Sequence, residues 1–188
     1  MCVIGVDPGL RAPAAAIVSQ EGKLVAAATF TISRESRGAT RLTEVYDALL
    51  AFAAPWGSFE ASGIEGPSLG STHREYDLGE GSGVLKLGLF RIAEGEEPVI
   101  IEPTRLKLFA TGRGDADKEE VMEYVVRNHG AVDGTDAADA AVIALIVHGL
   151  RYKTRPATRA QAEVLFAMRT ASTTPRKKVS RGTKRINM

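Results

Sequence analysis

The strongest constraint on the fold is an apolar segment at residues 137–147, which reads AADAAVIALIV and contains a single acid. Thr135 can cap a helix at this point, and the pattern predicts a helix from Asp136 to His148. Such a helix is apolar on nearly every side, so other parts of the chain must cover it. It is too short for the ~18 residues of a membrane span, and we expect a buried core helix and no membrane helix.

Apolar and β-branched runs predict the elements that cover this helix. The predicted strands are residues 1–6, 14–19, 24–32, 61–65 and 99–101. The other predicted helices are residues 40–53, 84–93 and 115–128, the last with Asp115 as its N-cap. This order mixes an antiparallel hairpin with strands that are separated by helices. It predicts an α/β fold with a mixed central sheet of about five strands flanked by helices.

Charge divides the 188 residues into two parts. Residues 1–150 hold 13 Lys and Arg against 22 Asp and Glu, while the remaining 38 residues hold 11 basic residues and one acid, Glu163. We expect one core domain at residues 1–152 and a basic extension at 153–188, with a short helix at 160–169 and disorder beyond Thr170. The basic end indicates an anionic partner, with nucleic acid as the leading candidate and a solubilising tail as the alternative.

The N-terminus and the single cysteine bear on location. Cys2 has no partner for an internal disulfide, and the chain opens on MCVIGVD without the pattern of a secretory signal. Both observations predict a reducing, cytoplasmic setting.

Four acids stand out because each ends or interrupts an apolar element: Asp7, Glu65, Asp136 and Asp139. A buried carboxylate is costly unless it is paired, hydrogen-bonded or bound to a metal ion. Asp7 and Glu65 follow different strands, whose ends can meet at one edge of a sheet. Asp136 and Asp139 are three residues apart, on one face of a helix. We expect the four carboxylates to converge.

Oxygen ligands without a Cys or His cluster suit hard cations such as Mg²⁺ or Mn²⁺. Two such ions about 4 Å apart can activate water and stabilise the leaving oxygen in phosphodiester hydrolysis. The alternative is that the four acids have unrelated structural roles.

Four segments resemble, in order and spacing, the motifs of the RuvC family of Holliday junction resolvases. They read VIGVDPG, IEGPS, PTRLKLFATGRGDADKEEV and TDAADAAVIALIVH, within residues 1–148. The resemblance implies a ribonuclease H-like fold and a homodimeric, Mg²⁺-dependent endonuclease, with Mn²⁺ as a substitute ion, that nicks symmetrically related strands of branched DNA, four-way junctions above all. We expect the dimer interface at residues 84–92.

The same resemblance assigns roles to residues. The metal-binding catalytic carboxylates would be Asp7, Glu65, Asp136 and Asp139, and Lys118 would assist at the scissile phosphate. The residues implied in DNA contact are Lys107, Lys118, Ser68, Arg105 and Arg113.

Ser68 departs from the family pattern. Bacterial members place an aromatic residue three positions after the glutamate of the second motif, where it stacks on bases at the junction. Ser68 lacks that ring, and Tyr76 or Leu69 remain as substitutes. Stacking contributes about 1 to 3 kcal/mol per base, so we expect loose selectivity, with forks or flaps cut within about tenfold of four-way junctions.

Other hypotheses remain open at this stage. The chain could be a broader branched-DNA nuclease, or a basic-tailed DNA-binding protein without activity. The segment DPG also resembles the phosphate loop of actin-like ATPases, but that fold needs a second domain. The basic tail is longer than the RuvC core requires, which leaves a phage-type or other lineage-specific origin open.

Overall fold

A mixed five-stranded sheet lies at the centre of the molecule. The structure is a computed structural model and describes residues 1–9, 11–67 and 75–173. The strands are β1 (Cys2–Asp7), β2 (Ala14–Ser19), β3 (Leu24–Thr29), β4 (Phe59–Glu65) and β5 (Val99–Ile101). Their order across the sheet is β3-β2-β1-β4-β5, with the first three strands antiparallel and β4 and β5 parallel to β1. The predicted mixed sheet is confirmed.

Helices cover both faces of this sheet. They are α1 (Gly38–Ala53), α2 (Glu75–Ile92), α3 (Pro103–Thr111), α4 (Lys118–His129), α5 (Thr135–Tyr152) and α6 (Arg159–Thr173). Helices α1 and α2 pack on one face around Leu49, Leu85 and Leu89. The other four pack on the opposite face, with α5 against the sheet.

Helix α5 is the core helix that the sequence predicts. Every residue from Ala137 to Gly149 is buried. The helix lies very close to β1, because a Cβ on Gly5 would come within 2.3 Å of the backbone nitrogen of Ala144. Glycine at this position therefore allows the apolar helix to contact the middle of the sheet directly.

Several element boundaries differ from the prediction. Strand β3 ends at Thr29 rather than residue 32, although buried Ile32 continues the apolar pattern. Helix α2 begins at Glu75, nine residues before the predicted start, across a glycine-rich stretch. Helix α5 continues past His148 to Tyr152. Helix α3 was not predicted, since its nine residues show little periodicity.

The start of α4 needs a further correction. Its N-cap is Asp117 and not Asp115. The Asp117 carboxylate accepts a hydrogen bond from the Glu120 amide, and the Glu120 carboxylate accepts one from the Asp117 amide. This capping box fixes the first turn and makes Lys118 the first residue of the helix.

Helix α6 (Arg159–Thr173) lies beyond residue 152, where the sequence predicts that the core domain ends. Its buried residues Val164, Leu165 and Met168 belong to the same apolar cluster as α5. The helix is thus packed on the core, while the division at residue 152 stays a prediction. The tail from residue 174 lies outside the described residues. No helix in the described part of the chain is long and apolar enough to span a membrane.

Candidate metal centre

Three carboxylates meet at one edge of the sheet. Asp7 is the last residue of β1, and Asp136 and Asp139 lie in the first turns of α5. Each offers an oxygen, and these three oxygens lie within 4.8 Å of one another. Asp7 and Asp139 are both only 6% exposed. Helix α5 begins at the edge where β1 ends and runs back along the strand, which brings together acids that are more than 120 residues apart in sequence.

Glu65 is the fourth acid of the site. It is the last residue of β4, and the pairing of Val6 with Ile64 places it level with Asp7 on the neighbouring strand. Its charge is the largest contribution to the pKa of Asp7 after burial. The structure therefore brings Asp7, Asp136 and Asp139 together and places Glu65 beside Asp7 on the next strand, while the four-carboxylate site stays a prediction.

Burial and mutual repulsion make these acids hard to ionise. Burial raises the pKa of Asp7 to about 8, and the charges of Glu65 and Asp139 add to that effect. Burial likewise raises the pKa of Glu65 to about 7, with the charge of Asp139 next, and the pKa of Asp139 to about 6. A site of this kind gains most from a bound cation, because a cation offsets both burial and repulsion.

Lys118 is the cation in direct contact with the cluster. Its Nζ donates to Asp136 Oδ1 at 2.6 Å and lies 3.5 Å from Asp139 Oδ2. Burial lowers the pKa of Lys118, but the hydrogen bond to Asp136 and the charge of Asp139 outweigh this effect. The pKa is therefore raised above its usual value, and the ammonium stays charged. The capping box of α4 sets this position. The spacing Asp117-x-x-Glu120 was a readable signal for it that the sequence analysis missed.

The other predicted DNA-contacting residues lie around the site in different settings. Lys107 is half-buried on α3, and its charge lowers the pKa values of Glu65 and Asp139. Arg105 pairs with Glu102 at 2.9 Å. Arg113 is exposed and pairs with Glu120 at 3.0 Å and with Asp115 at 3.6 Å. The structure therefore brings Lys107 to the carboxylates and pairs both arginines with local acids.

Of the three residues considered for base stacking, the structure describes only Tyr76. Ser68 and Leu69 fall outside the described residues. Tyr76, in the first turn of α2, is 78% exposed. Its ring is therefore accessible to a partner.

The donor set fits a hard divalent cation. The side chains that meet are carboxylates, and the sulfur of Cys2 lies at the start of β1, at the other end of that strand. Four acids face one directly bonded ammonium, which leaves a negative excess in a partly buried space. Oxygen ligands with such an excess suit Mg²⁺ or Mn²⁺.

Comparison with known proteins agrees with this geometry. The sequence model of the family described as crossover junction endodeoxyribonuclease RuvC matches residues 3–148. RuvC of Salinibacter ruber is 32% identical over 164 residues, which cover 80% of this chain and 86% of that protein. RuvC of Anaeromyxobacter dehalogenans is 33% identical over 150 residues, covering 77% of this chain and 79% of that protein.

Solved structures give the same result. The structure of Thermus thermophilus RuvC aligns with a TM-score of 0.67 at 25% identity, over 82% of this chain and 98% of that one. A second structure, T. thermophilus RuvC in complex with a Holliday junction substrate, aligns with a TM-score of 0.66 at 24% identity, over 81% of this chain and 94% of that one. The expected ribonuclease H-like architecture is confirmed, and the chain belongs to the RuvC family.

Proposed function

We propose that this protein is a divalent-metal-dependent endonuclease that resolves four-way DNA junctions by paired nicks. One observation carries the proposal: three carboxylates from β1 and α5 meet at the sheet edge beside Glu65 of β4, and burial and repulsion raise the pKa values of Asp7, Glu65 and Asp139. Membership of a family named for crossover junction endodeoxyribonucleases, and the Holliday junction bound to the T. thermophilus relative, support junction DNA as the substrate.

The four carboxylates would hold Mg²⁺, with Mn²⁺ able to replace it. The bound ions would supply an activated water and charge stabilisation at the leaving oxygen. Asp7 and Asp139 are nearly inaccessible to solvent, so their oxygens stay fixed by the surrounding strands and helix. Fixed ligands reduce the reorganisation that the site needs when phosphate charge develops.

Lys118 and Lys107 would act on the DNA. The Lys118 ammonium lies beside the carboxylates and can donate hydrogen bonds to the scissile phosphate. Lys107 approaches the same cluster from α3 on the β5 side. In this proposal Arg105 and Arg113 contact neighbouring phosphates. Each arginine would leave its local carboxylate partner and bind a phosphate instead.

A four-way junction with two-fold symmetry is resolved by two symmetric nicks. An enzyme with two-fold symmetry, such as a homodimer, makes these nicks most simply. Helix α2 supports a homodimer. Leu85 and Leu89 face the core, while Leu87 and Phe90 on the other side of the helix are 49% and 38% exposed. We propose that this outer side of α2 is covered by a second copy. Light scattering at micromolar concentration should give the mass of a dimer, and a monomer would refute this part.

A cytoplasmic location belongs to the same proposal, since the free thiol of Cys2 and a DNA substrate both fit a reducing compartment.

The test is a gel assay with labelled four-way junction, flap, fork and duplex, each with Mg²⁺ and with EDTA. We expect Mg²⁺-dependent paired nicks in the four-way junction, and no cleavage by Asp7→Asn at equal junction binding. Uncut DNA of every shape would refute the nuclease. Equal cutting of forks, flaps and junctions would instead favour a broader branched-DNA nuclease, which the serine at position 68 supports.

A further inference from the structure

The segment between β3 and α1 lies at the same sheet edge as the carboxylates. Strand pairing aligns Asp7 with Ala14 and Ala14 with Thr29. Neighbouring strands are about 4.8 Å apart, so Thr29 lies about 10 Å from Asp7 along this edge. The Thr29 hydroxyl also donates to the backbone oxygen of Asp133, three residues before Asp136. Residues 30–37 therefore begin beside the metal centre, on the opposite side from α3.

The backbone of this segment is held in a defined position. The amides of Phe30 and Ile32 donate to the backbone oxygens of Pro13 and Arg11. Ile32 is 4% exposed and belongs to the core. The segment is therefore an ordered extension of the sheet edge.

Arg11 fixes the far part of the segment. Its Nη1 donates to the backbone oxygens of Ser33 at 2.7 Å and Ser36 at 3.1 Å. Glu44 of α1 accepts hydrogen bonds from the Ser33 amide and the Ser36 hydroxyl. Both the basic and the acidic neighbours of the segment are thus engaged with its backbone and serines.

Two arginine side chains remain on the outside of this segment. Arg34 and Arg37 are exposed. Within the described residues neither forms an ion pair, whereas Arg41, Arg105, Arg113 and Arg151 all do. The Arg37 guanidinium donates only to the backbone oxygens of Arg34 and Ser36. Both guanidinium groups are therefore available to a phosphate near the metal centre, on a body whose first 150 residues carry 22 acids against 13 bases.

We propose that Arg34 and Arg37, called here the Arg34/Arg37 patch, bind the phosphate backbone of the DNA strand that is cut. This inference rests on the proposed nuclease function. The metal centre would then lie between two basic groups, with Lys107 on the β5 side and the Arg34/Arg37 patch on the β3 side. A strand that crosses the sheet edge would contact both.

The geometry also predicts where the contact falls. Phosphates advance ~3.4 Å per nucleotide along the axis of a duplex, and the patch lies beyond Thr29, which is itself ~10 Å from Asp7. The patch should therefore contact phosphates at least about two or three positions from the cleaved bond, on one side only. It would position the strand without reading its sequence.

The test measures junction binding in EDTA, where no cleavage occurs, as a function of salt. The double variant Arg34→Ala/Arg37→Ala should bind a four-way junction about tenfold more weakly, with a salt dependence of log K smaller by about two, because each lost phosphate contact removes about 0.9 from the slope. The matched control is Lys23→Ala/Arg127→Ala, which removes two exposed charges from the opposite sheet edge and from the end of α4. It should bind within about twofold of the wild type.

Two further measurements keep the result interpretable. The rise in melting temperature on addition of Mg²⁺ should be the same in the double variant as in the wild type, which shows that the metal centre is intact. Arg34→Ala alone should show about half of the slope change, and its side chain makes no hydrogen bond within the described residues, so its folding is not at risk.

A scan with neutral methylphosphonates locates the contact. Replacing single phosphates should weaken the wild type about three positions from the cleaved bond on one side and leave the double variant unaffected there. If the double variant binds with the control's affinity and slope, the patch is not a DNA contact, while the nuclease proposal stands. If the wild type itself does not bind junctions, the proposed function fails.

Discussion

The two ends of α5 hold charged side chains in opposite ways. At its start, Asp136 and Asp139 share one ammonium with the buried Asp7 and the half-buried Glu65. At its end, the charges are matched: Arg151 pairs with Glu60 at 3.2 Å and Glu96 at 3.8 Å.

The histidine near that same end is also satisfied. His148 Nε2 donates to the Gln20 backbone oxygen at 2.9 Å. Matched charges need nothing more to be stable, whereas the excess of carboxylates at the start of α5 leaves a requirement that a bound cation would meet. The contrast separates acids with a structural role from acids with a chemical one.

Substitutions at the two ends of α5 should differ most in their effect on cleavage activity. Asp7→Asn should lower single-turnover cleavage of a four-way junction by about a thousandfold or more, because it removes a metal ligand that contributes several kcal/mol to the transition state. Glu60→Gln at the opposite end should leave the rate within about twofold. Similar rates for the two variants would remove the distinction between the ends.

A bound metal ion should stabilise the protein only through the carboxylates at the start of α5. At a concentration of about a hundred times the dissociation constant, Mg²⁺ adds about 2.7 kcal/mol, or about 5 to 10 °C in melting temperature for a chain of this size. EDTA should reverse the shift, and Asp7→Asn should reduce it. A shift that Asp7→Asn leaves unchanged would place the bound metal elsewhere.

The metal-free protein should lose stability as the pH rises. The pKa values of Asp7 (about 8), Glu65 (about 7) and Asp139 (about 6) lie above their usual values of 3.8, 4.5 and 3.8, so the folded state keeps protons that the unfolded chain has released. Stability from these groups is therefore fully present below about pH 4 and is lost as the pH rises through about 6 to 8.

The measurement is the melting temperature in EDTA between pH 5 and pH 8, where we expect a fall of at least about 5 °C. Asp139→Asn should raise the melting temperature at pH 8 and reduce the slope, since it removes one repelling charge. A melting temperature that is flat or rises over this range would contradict the arrangement of the four acids.

Substitutions at the C-terminal end of α5 should have the smallest effect on stability and activity. The Arg151 pairs are partly exposed, with 42% of the Arg151 side chain accessible, so Arg151→Met should cost at most about 1 kcal/mol, or about 2 to 4 °C. Cleavage should be unchanged. A loss of activity in Arg151→Met with a normal melting temperature would show that the matched end also contributes to function.

The sequence allowed the prediction of features that local pattern controls. The apolar run of α5 predicted its burial, and the acids that interrupt apolar elements, Asp7 and Asp139 among them, predicted the convergence at the sheet edge. Both depend on the cost of burying polar groups, which acts wherever the rest of the chain folds.

Features that depend on contacts between distant segments were harder to predict. Helix α3 buries Leu106 and Phe109 against α6, and nothing in its own nine residues shows that partner. The position of Arg34 depends on the hydrogen bonds of Arg11, a residue 23 positions earlier. Asp115 and Asp117 are both capping residue types, and only Asp117 has a glutamate three residues later, so the spacing Asp117-x-x-Glu120 decides between them.

Paramagnetic Mn²⁺ tests directly whether a metal ion binds at the four carboxylates, since it broadens the amide NMR signals of residues near the ion. We predict that substoichiometric Mn²⁺ removes the amide signals of Asp7, Glu65 and Asp139 and leaves those of Glu60 and Arg151 sharp. Mg²⁺ in excess should restore the lost signals. Broadening that is equal at both ends of α5, or confined to the Glu60 end, would contradict a metal centre at the four carboxylates.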